Sequence, residues 1–216
     1  MSNNFYDSLT EIRKGWVWPK KDEACWTFLT NPKRDNIPKQ LSSLVSNHRV
    51  VVQAGGNAGM YPRQYEEFFD TVYTFEPDYI NFYCLVRNTT DKTIKFQACL
   101  GNDKKTVGLS NRNHDENLNF GGFHVQGAGM IPTVKIDDLN LPYCDLIHLD
   151  IEGYEKEALL GSEQTIKKFS PVIVLEMVNL SQRYGTTDAD IIQLLAKWGY
   201  SNSSNIRKED FIFIRK

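Results

Sequence analysis

The chain has 216 residues, 41% hydrophobic and 24% charged, a composition that fits one globular unit with some decoration and excludes whole-chain disorder. Lys+Arg 25 against Asp+Glu 27 leaves a formal net charge of −2, so no global basic field is available to grip nucleic acid or an anionic membrane.

Cys25, Cys84, Cys99 and Cys144 form no CxxC pair and read as reduced core thiols. No apolar run approaches the roughly 18 residues of a membrane span, and the opening residues lack the basic and apolar regions of a signal peptide. A cytoplasmic protein without membrane contact is the expectation.

Residues 1–40 hold Trp16, Trp18 and Trp26 among Pro19, Pro32 and Pro38, an irregular segment with a short helix over Asp22 to Leu29. This segment reads as a cap on the core, because large aromatics usually go to burial. A lid over a site, or a dimer contact, is the sharper alternative. The remaining 41–216 read as the main domain.

From Val50 onward, short β-rich runs alternate with amphipathic helix-length stretches, the pattern of a mostly parallel α/β sheet. Seven strands are expected: Val50–Val52, Val72–Phe75, Ile94–Ala98, Leu146–Leu149, Val172–Leu175, one near Tyr200, and Phe211–Ile214. Helices are expected over Gln64–Asp70, Ile80–Arg87, Tyr154–Phe169 with a break at Gly161, and Asp188–Trp198. Thr187 caps the last of these, and Ile191, Leu194, Leu195 and Trp198 give it one apolar face. Only a polar turn around Asn202 to Asn205 separates the final two strands, so they pair as an antiparallel hairpin. A second irregular region, 101–131, carries four glycines around His124, and so long a connection is usually functional.

Three motifs carry chemistry. Val50 to Gly59 is a strand entering a glycine turn, with Gly55, Gly56 and Gly59 letting a ligand lie against backbone. A dinucleotide fingerprint would need glycine where Asn57 and Met60 stand, which weakens a pyrophosphate reading. Phe75-Glu76-Pro77 then sets an acid at the end of the second strand, placed to accept both hydroxyls of a ribose. Finally, Leu149-Asp150-Ile151-Glu152-Gly153 ends the fourth strand and Glu176 ends the fifth, so three acids share the carboxyl rim where open α/β sheets bind ligands. They can orient a hydroxyl, take its proton or hold a metal. Either Glu152 or Glu155 is expected to cap the helix that follows.

These motifs, together with Val134-Lys135-Ile136-Asp137-Asp138-Leu139 and Leu159-Leu160-Gly161, resemble the FkbM family of S-adenosylmethionine-dependent methyltransferases over about residues 50–180. The resemblance implies a Rossmann-like class I methyltransferase fold: a seven-stranded mostly parallel sheet, helices on both faces, and a C-terminal antiparallel hairpin. It implies S-adenosylmethionine held by Gln53, Gly55, Gly56, Asn57 and Gly59, its ribose on Glu76 beside Pro77, and its adenine near Leu100-Gly101-Asn102-Asp103. It further implies that Asp150 lies beside the methyl group. Two positions depart from the family pattern: Gln53 stands where an acid is frequent, and His148 where a lysine is frequent.

Asp150 is the first candidate for the group that takes or orients the acceptor proton, with His148 second; Glu152 and Glu176 orient the acceptor. His124 and Trp18 are substrate-side candidates. No metal site is expected, since carboxylates alone do not specify one. The expected partner is a small-molecule or sugar hydroxyl acceptor; homo-oligomerisation is left open. A nicotinamide-dependent oxidoreductase and a non-catalytic cofactor-binding module are the rival readings. The charge and the missing Asn/Asp-Pro-Pro-aromatic motif disfavour nucleic-acid methylation.

Overall fold

A computed structural model describes residues 5–31, 36–111 and 119–216. In chain order its strands and helices are β1 (Thr10–Arg13), β2 (Trp16–Pro19), α1 (Glu23–Leu29), α2 (Ile37–Ser42), β3 (Val50–Ala54), α3 (Met60–Tyr65), β4 (Thr71–Phe75) and α4 (Tyr79–Asn88). There follow β5 (Thr93–Phe96), β6 (Cys99–Leu100), β7 (Thr106–Val107), β8 (Leu109–Asn111), β9 (Phe123–Val125), β10 (Ile131–Val134) and β11 (Leu146–Leu149). The chain closes with α5 (Glu155–Leu160), α6 (Glu163–Phe169), β12 (Val172–Glu176), α7 (Asp188–Lys197), β13 (Tyr200–Asn205) and β14 (Asp210–Arg215).

The main sheet has seven strands in the order β13-β14-β12-β11-β3-β4-β5. β3, β4, β5, β11 and β12 run parallel, while β14 is antiparallel to β12 and β13 to β14. The central strands are apolar on both faces. Val52, Ile147, Ile173 and Leu175 enter one buried cluster, Val51, Leu146 and Val174 another, as expected of strands covered on both sides. This is the α/β sheet with a terminal hairpin that the sequence predicts.

Boundaries moved where a local signal was misread. The helix expected over Gln64–Asp70 is α3, Met60–Tyr65. Pro62 sits in its first turn, where a missing N–H breaks no intrahelical bond. Tyr61 and Tyr65 bury its inner face. β13 runs through Asn205, where a polar turn was expected. Its Asn and Ser side chains occupy an edge strand whose backbone pairs with β14 across a bulge at Asn202/Ser204. The 154–169 stretch does divide at Gly161, where a Cβ would collide with the Gly101 carbonyl oxygen.

Among the described residues in and beside region 101–131, β6, β10 and β7 form a small sheet and β8 pairs with β9, where an irregular connection was expected. At the N-terminus, the β1–β2 hairpin and α1 pack beside α4. Trp18 is fully buried with Ala58, Met60 and Cys84, and its indole N–H donates to the Asp22 carbonyl at 2.9 Å. The Asn88 side chain ties hairpin to glycine turn: Oδ1 accepts from Val17 N at 2.8 Å, and Nδ2 donates to Ala58 O at 2.7 Å. All four cysteines are buried and free. Among the described residues, no helix is long and apolar enough to cross a membrane.

Candidate active-site cleft

The parallel strands end in a cleft of about 250 Å³. Its floor is the turn after β3. The Gly55 and Gly56 N–H groups donate to the Phe75 carbonyl at 3.1 and 3.0 Å, anchoring the turn to β4. Gly55 has φ +82, and a Cβ there would run into the Asp150 carbonyl oxygen. Only glycine fits so close an approach.

Glu76 is buried beside this turn. Its carboxyl accepts from Asn57 N at 2.7 Å and Asp78 N at 2.8 Å. Burial, followed by the charge of Asp78, pushes its pKa up to about 8. Pro77, Ala98, Cys99, Leu100 and Phe120 continue the wall around it, an apolar slot suited to a flat ring. On the other side of the turn, Asp150 follows Leu149, which pairs with Leu175, so Asp150 stands level with Glu176; Glu176 in turn pairs with Asp210 on β14. Three carboxyls therefore form a row across three adjacent strands. Arg207 closes the row, bound to Asp210 through two nitrogens, with Nη2 to Oδ1 at 2.9 Å.

Asp150 and Glu176 are hydrogen-bonded and share one proton. The charge of Asp150, then burial, pushes Glu176 up to about 10. Burial and then the charge of Asp210 also raise Asp150, while Arg207 and the Glu176 hydrogen bond act in the opposite direction. The proton accordingly rests on Glu176, and Asp150 is the carboxylate. Glu152 lines the cleft with φ +59, its carbonyl accepting from Arg183 at 2.9 Å. Neither Glu152 nor Glu155 caps α5, whose N-cap Tyr154 makes no side-chain cap bond; Glu155 Oε1 instead accepts from Ile151 N at 3.1 Å and Gly153 N at 3.3 Å, bracing the turn before the helix.

Gly55, Gly56, Asn57, Glu76, Pro77, Asp150, Glu152, Glu176 and His124 all line this one cleft. Five other candidates do not. Gln53 lies beneath the turn, its amide donating to Ala54 O at 3.0 Å and Gly55 O at 2.9 Å while Thr74 donates to it at 2.6 Å. Gly59, with φ +93, starts α3 and backs onto α4. Asn102 is exposed beyond the slot. Trp18 is core, behind the turn. His148 is buried under the cleft, Nδ1 facing the Tyr65 hydroxyl at 2.9 Å, and burial lowers its pKa to about 4. An imidazole that is sealed from the cleft and neutral has no route to an acceptor.

Sequence reasoning missed Phe28 and Cys25 of α1, Phe120 and Tyr61, which all line the cleft, and the Arg207–Asp210 pair. The pair had a signal, since Arg207 and Asp210 bracket the turn before β14; the others carry none, because each is fixed by tertiary packing. Among the described residues no group of three or more His, Cys, Asp or Glu side chains is arranged to hold a metal.

The residues present fit S-adenosylmethionine. The glycine turn leaves a cradle that a Cβ would fill, Glu76 offers acceptor capacity for a diol, the slot suits a purine, and the acid row faces the place of a sulfonium. In sequence, the Methyltransferase FkbM domain profile matches residues 64–201. No curated protein matches the chain. Among solved structures, an FkbM methyltransferase from Methylobacillus flagellatus aligns at TM-score 0.53 and 18% identity over 87% of this chain. The alignment spans 47% of that protein, so the chain covers about half its length. Precorrin 8w decarboxylase from Methanobacterium thermoautotrophicum aligns at TM-score 0.52 and 11% identity, over 87% of this chain and 91% of that one. Precorrin-6y C5,15-methyltransferase from Geobacter metallireducens aligns at 0.50 and 10%, over 95% and 97%. These structures share the fold, and the profile match covers more than half the sequence: the chain belongs to the FkbM family of methyltransferases.

Proposed function

We propose that the protein methylates a hydroxyl of a sugar or similar small polyhydroxylated molecule. The observation that carries this reading is the Asp150–Glu176 pair, one carboxylate and one carboxylic acid, in the same cleft as Glu76. In this reading Glu76 accepts the ribose hydroxyls, and Gly55, Gly56 and Asn57 carry the amino-acid end of the cofactor. The bound cofactor supplies an activated methyl group on sulfur. What is left to the protein is alignment and removal of one proton from the attacking oxygen. Asp150 accepts that proton, and Glu176, donating to Asp150, holds its carboxylate in one orientation. Glu152 and His124 contact the acceptor as it enters.

The approach supports a polyhydroxylated acceptor. A second, polar cavity adjoins the cleft and shares Glu152, Glu176 and Asn119 with it; Asn111 and Gly122 complete its polar rim. Carboxyls and amides suit hydroxyl groups, which both donate and accept. Residues 1–40 act as a cap, with Ala24, Cys25 and Phe28 of α1 reaching the cleft, and 41–216 as the transferase body. The test is incubation with S-adenosylmethionine and a panel of methyl glycosides and polyols, followed by mass spectrometry. A product heavier by one methylene unit supports the proposal. Cofactor binding with no methylated product from any hydroxyl acceptor would favour a binding module instead.

A further inference from the structure

We propose that the Tyr61 hydroxyl donates a hydrogen bond to the acceptor oxygen and so positions it for methyl transfer. This inference rests on the hydroxyl-methylation reading above. Tyr61 lies in the first turn of α3, lines the cleft and is 5% exposed. Its ring is held by Phe28 at 6.3 Å and by the His148 ring at 5.1 Å, centroid to centroid. Yet its hydroxyl oxygen has no hydrogen-bond partner among the described residues. A buried hydroxyl left unpaired is destabilising, and phenylalanine would fill the same space without that penalty. An orphaned donor in a ligand cleft is therefore best explained by the ligand.

The surroundings define which ligand atom completes it. Asp150, Glu176, Asp210 and Arg207 are the charged groups acting on Tyr61. Burial and the nearby Asp150 charge raise its pKa, so the phenol keeps its proton and acts as donor. An acceptor oxygen between Tyr61 and Asp150 uses all its valences. One lone pair forms the oxygen–methyl bond as the methyl–sulfur bond breaks, its electron pair staying on sulfur. The other lone pair accepts from Tyr61, and the proton passes to Asp150.

The test compares wild type with Tyr61→Phe in three measurements: calorimetric titration with S-adenosylhomocysteine, thermal melting, and transfer of labelled methyl to methyl hexosides. The expected variant binds S-adenosylhomocysteine within about two-fold of wild type and melts no lower, since only an unpaired hydroxyl is lost. Its turnover on the hydroxyl acceptor falls by about tenfold or more. Unchanged turnover overturns the proposal. So does a loss of S-adenosylhomocysteine affinity as large as the loss of turnover, because the hydroxyl would then serve the cofactor. If wild type binds S-adenosylhomocysteine but labels no hydroxyl acceptor, the methylation reading itself fails and this inference falls with it.

Discussion

Asp150 and Glu176 stand level on adjacent parallel strands, hydrogen-bonded to each other, with one proton between them. Asp210, the neighbour of Glu176 on β14, is paired with Arg207, and Glu152 with Arg183, which leaves Asp150 as the carboxylate with no cationic partner of its own.

This asymmetry predicts unequal effects of isosteric substitutions. Asp150→Asn removes the carboxylate placed to take the acceptor proton and should lower methyl-transfer turnover by about 10²-fold or more, leaving S-adenosylhomocysteine affinity within a few-fold. Glu176→Gln keeps a donor toward Asp150 and should retain turnover to within about tenfold. Steady-state rates of the two variants on one identified acceptor check the assignment; a larger loss in the Gln variant would put the working carboxylate on Glu176.

Glu76→Ala should weaken S-adenosylhomocysteine binding by roughly 1.5 to 3 kcal/mol, the range for hydrogen bonds to a charged group. The affinity of the wild type should also depend on pH. The apo carboxyl titrates at about 8, and a diol donates to the ionised form. Affinity should thus rise toward pH 8, by at most about tenfold per unit, and level off above it. Calorimetry from pH 6.5 to 9 on wild type and Glu76→Gln checks this, the Gln variant losing the slope.

The same groups set a stability profile. Glu76 and Glu155 both titrate at about 8 when folded, against 4.5 as the ordinary value. The folded chain therefore holds protons that the unfolded chain has already released, and stability falls as pH rises from 4.5 to about 8. His148, lowered to about 4 from 6.5, has the opposite slope, but only below 6.5. Urea denaturation of the apo protein should therefore show stability falling between pH 6.5 and 8. A flat or rising profile there would mean that the two carboxyls are not buried as described.

Gly161→Ala separates fold from site. Its Cβ would meet the Gly101 carbonyl where α5 passes β6, an overpacking worth about 1 to 3 kcal/mol. The variant should melt lower, yet bind S-adenosylhomocysteine normally while folded, because Gly161 does not line the cleft.

The parts legible in the sequence are those where strand, turn and acid follow one another along the chain. Val50 to Gly56, Phe75-Glu76-Pro77 and Leu149-Asp150 each end a buried strand, and parallel pairing brings such ends to one rim. Side-chain direction was not legible. Gln53 and His148 point into the sheet's packing rather than the cleft, and nothing in their neighbours distinguishes the two outcomes. Tyr61 was hidden because the helix that carries it begins at Met60, ahead of the Gln64 start expected from the sequence. Phe28, Cys25 and Phe120 come from segments far apart in sequence, joined by contacts such as Asn81 Nδ2 to the Phe120 carbonyl at 2.8 Å and the Cys25 thiol to Asn119 Oδ1 at 3.4 Å.

The most direct test of the account is calorimetric titration of the purified protein with S-adenosylhomocysteine and, separately, with NAD. The glycine turn, Glu76 and the acid row predict saturable binding of S-adenosylhomocysteine at one site per chain, weakened in Glu76→Ala, and no heat of binding with NAD. Binding of NAD without binding of S-adenosylhomocysteine would contradict it.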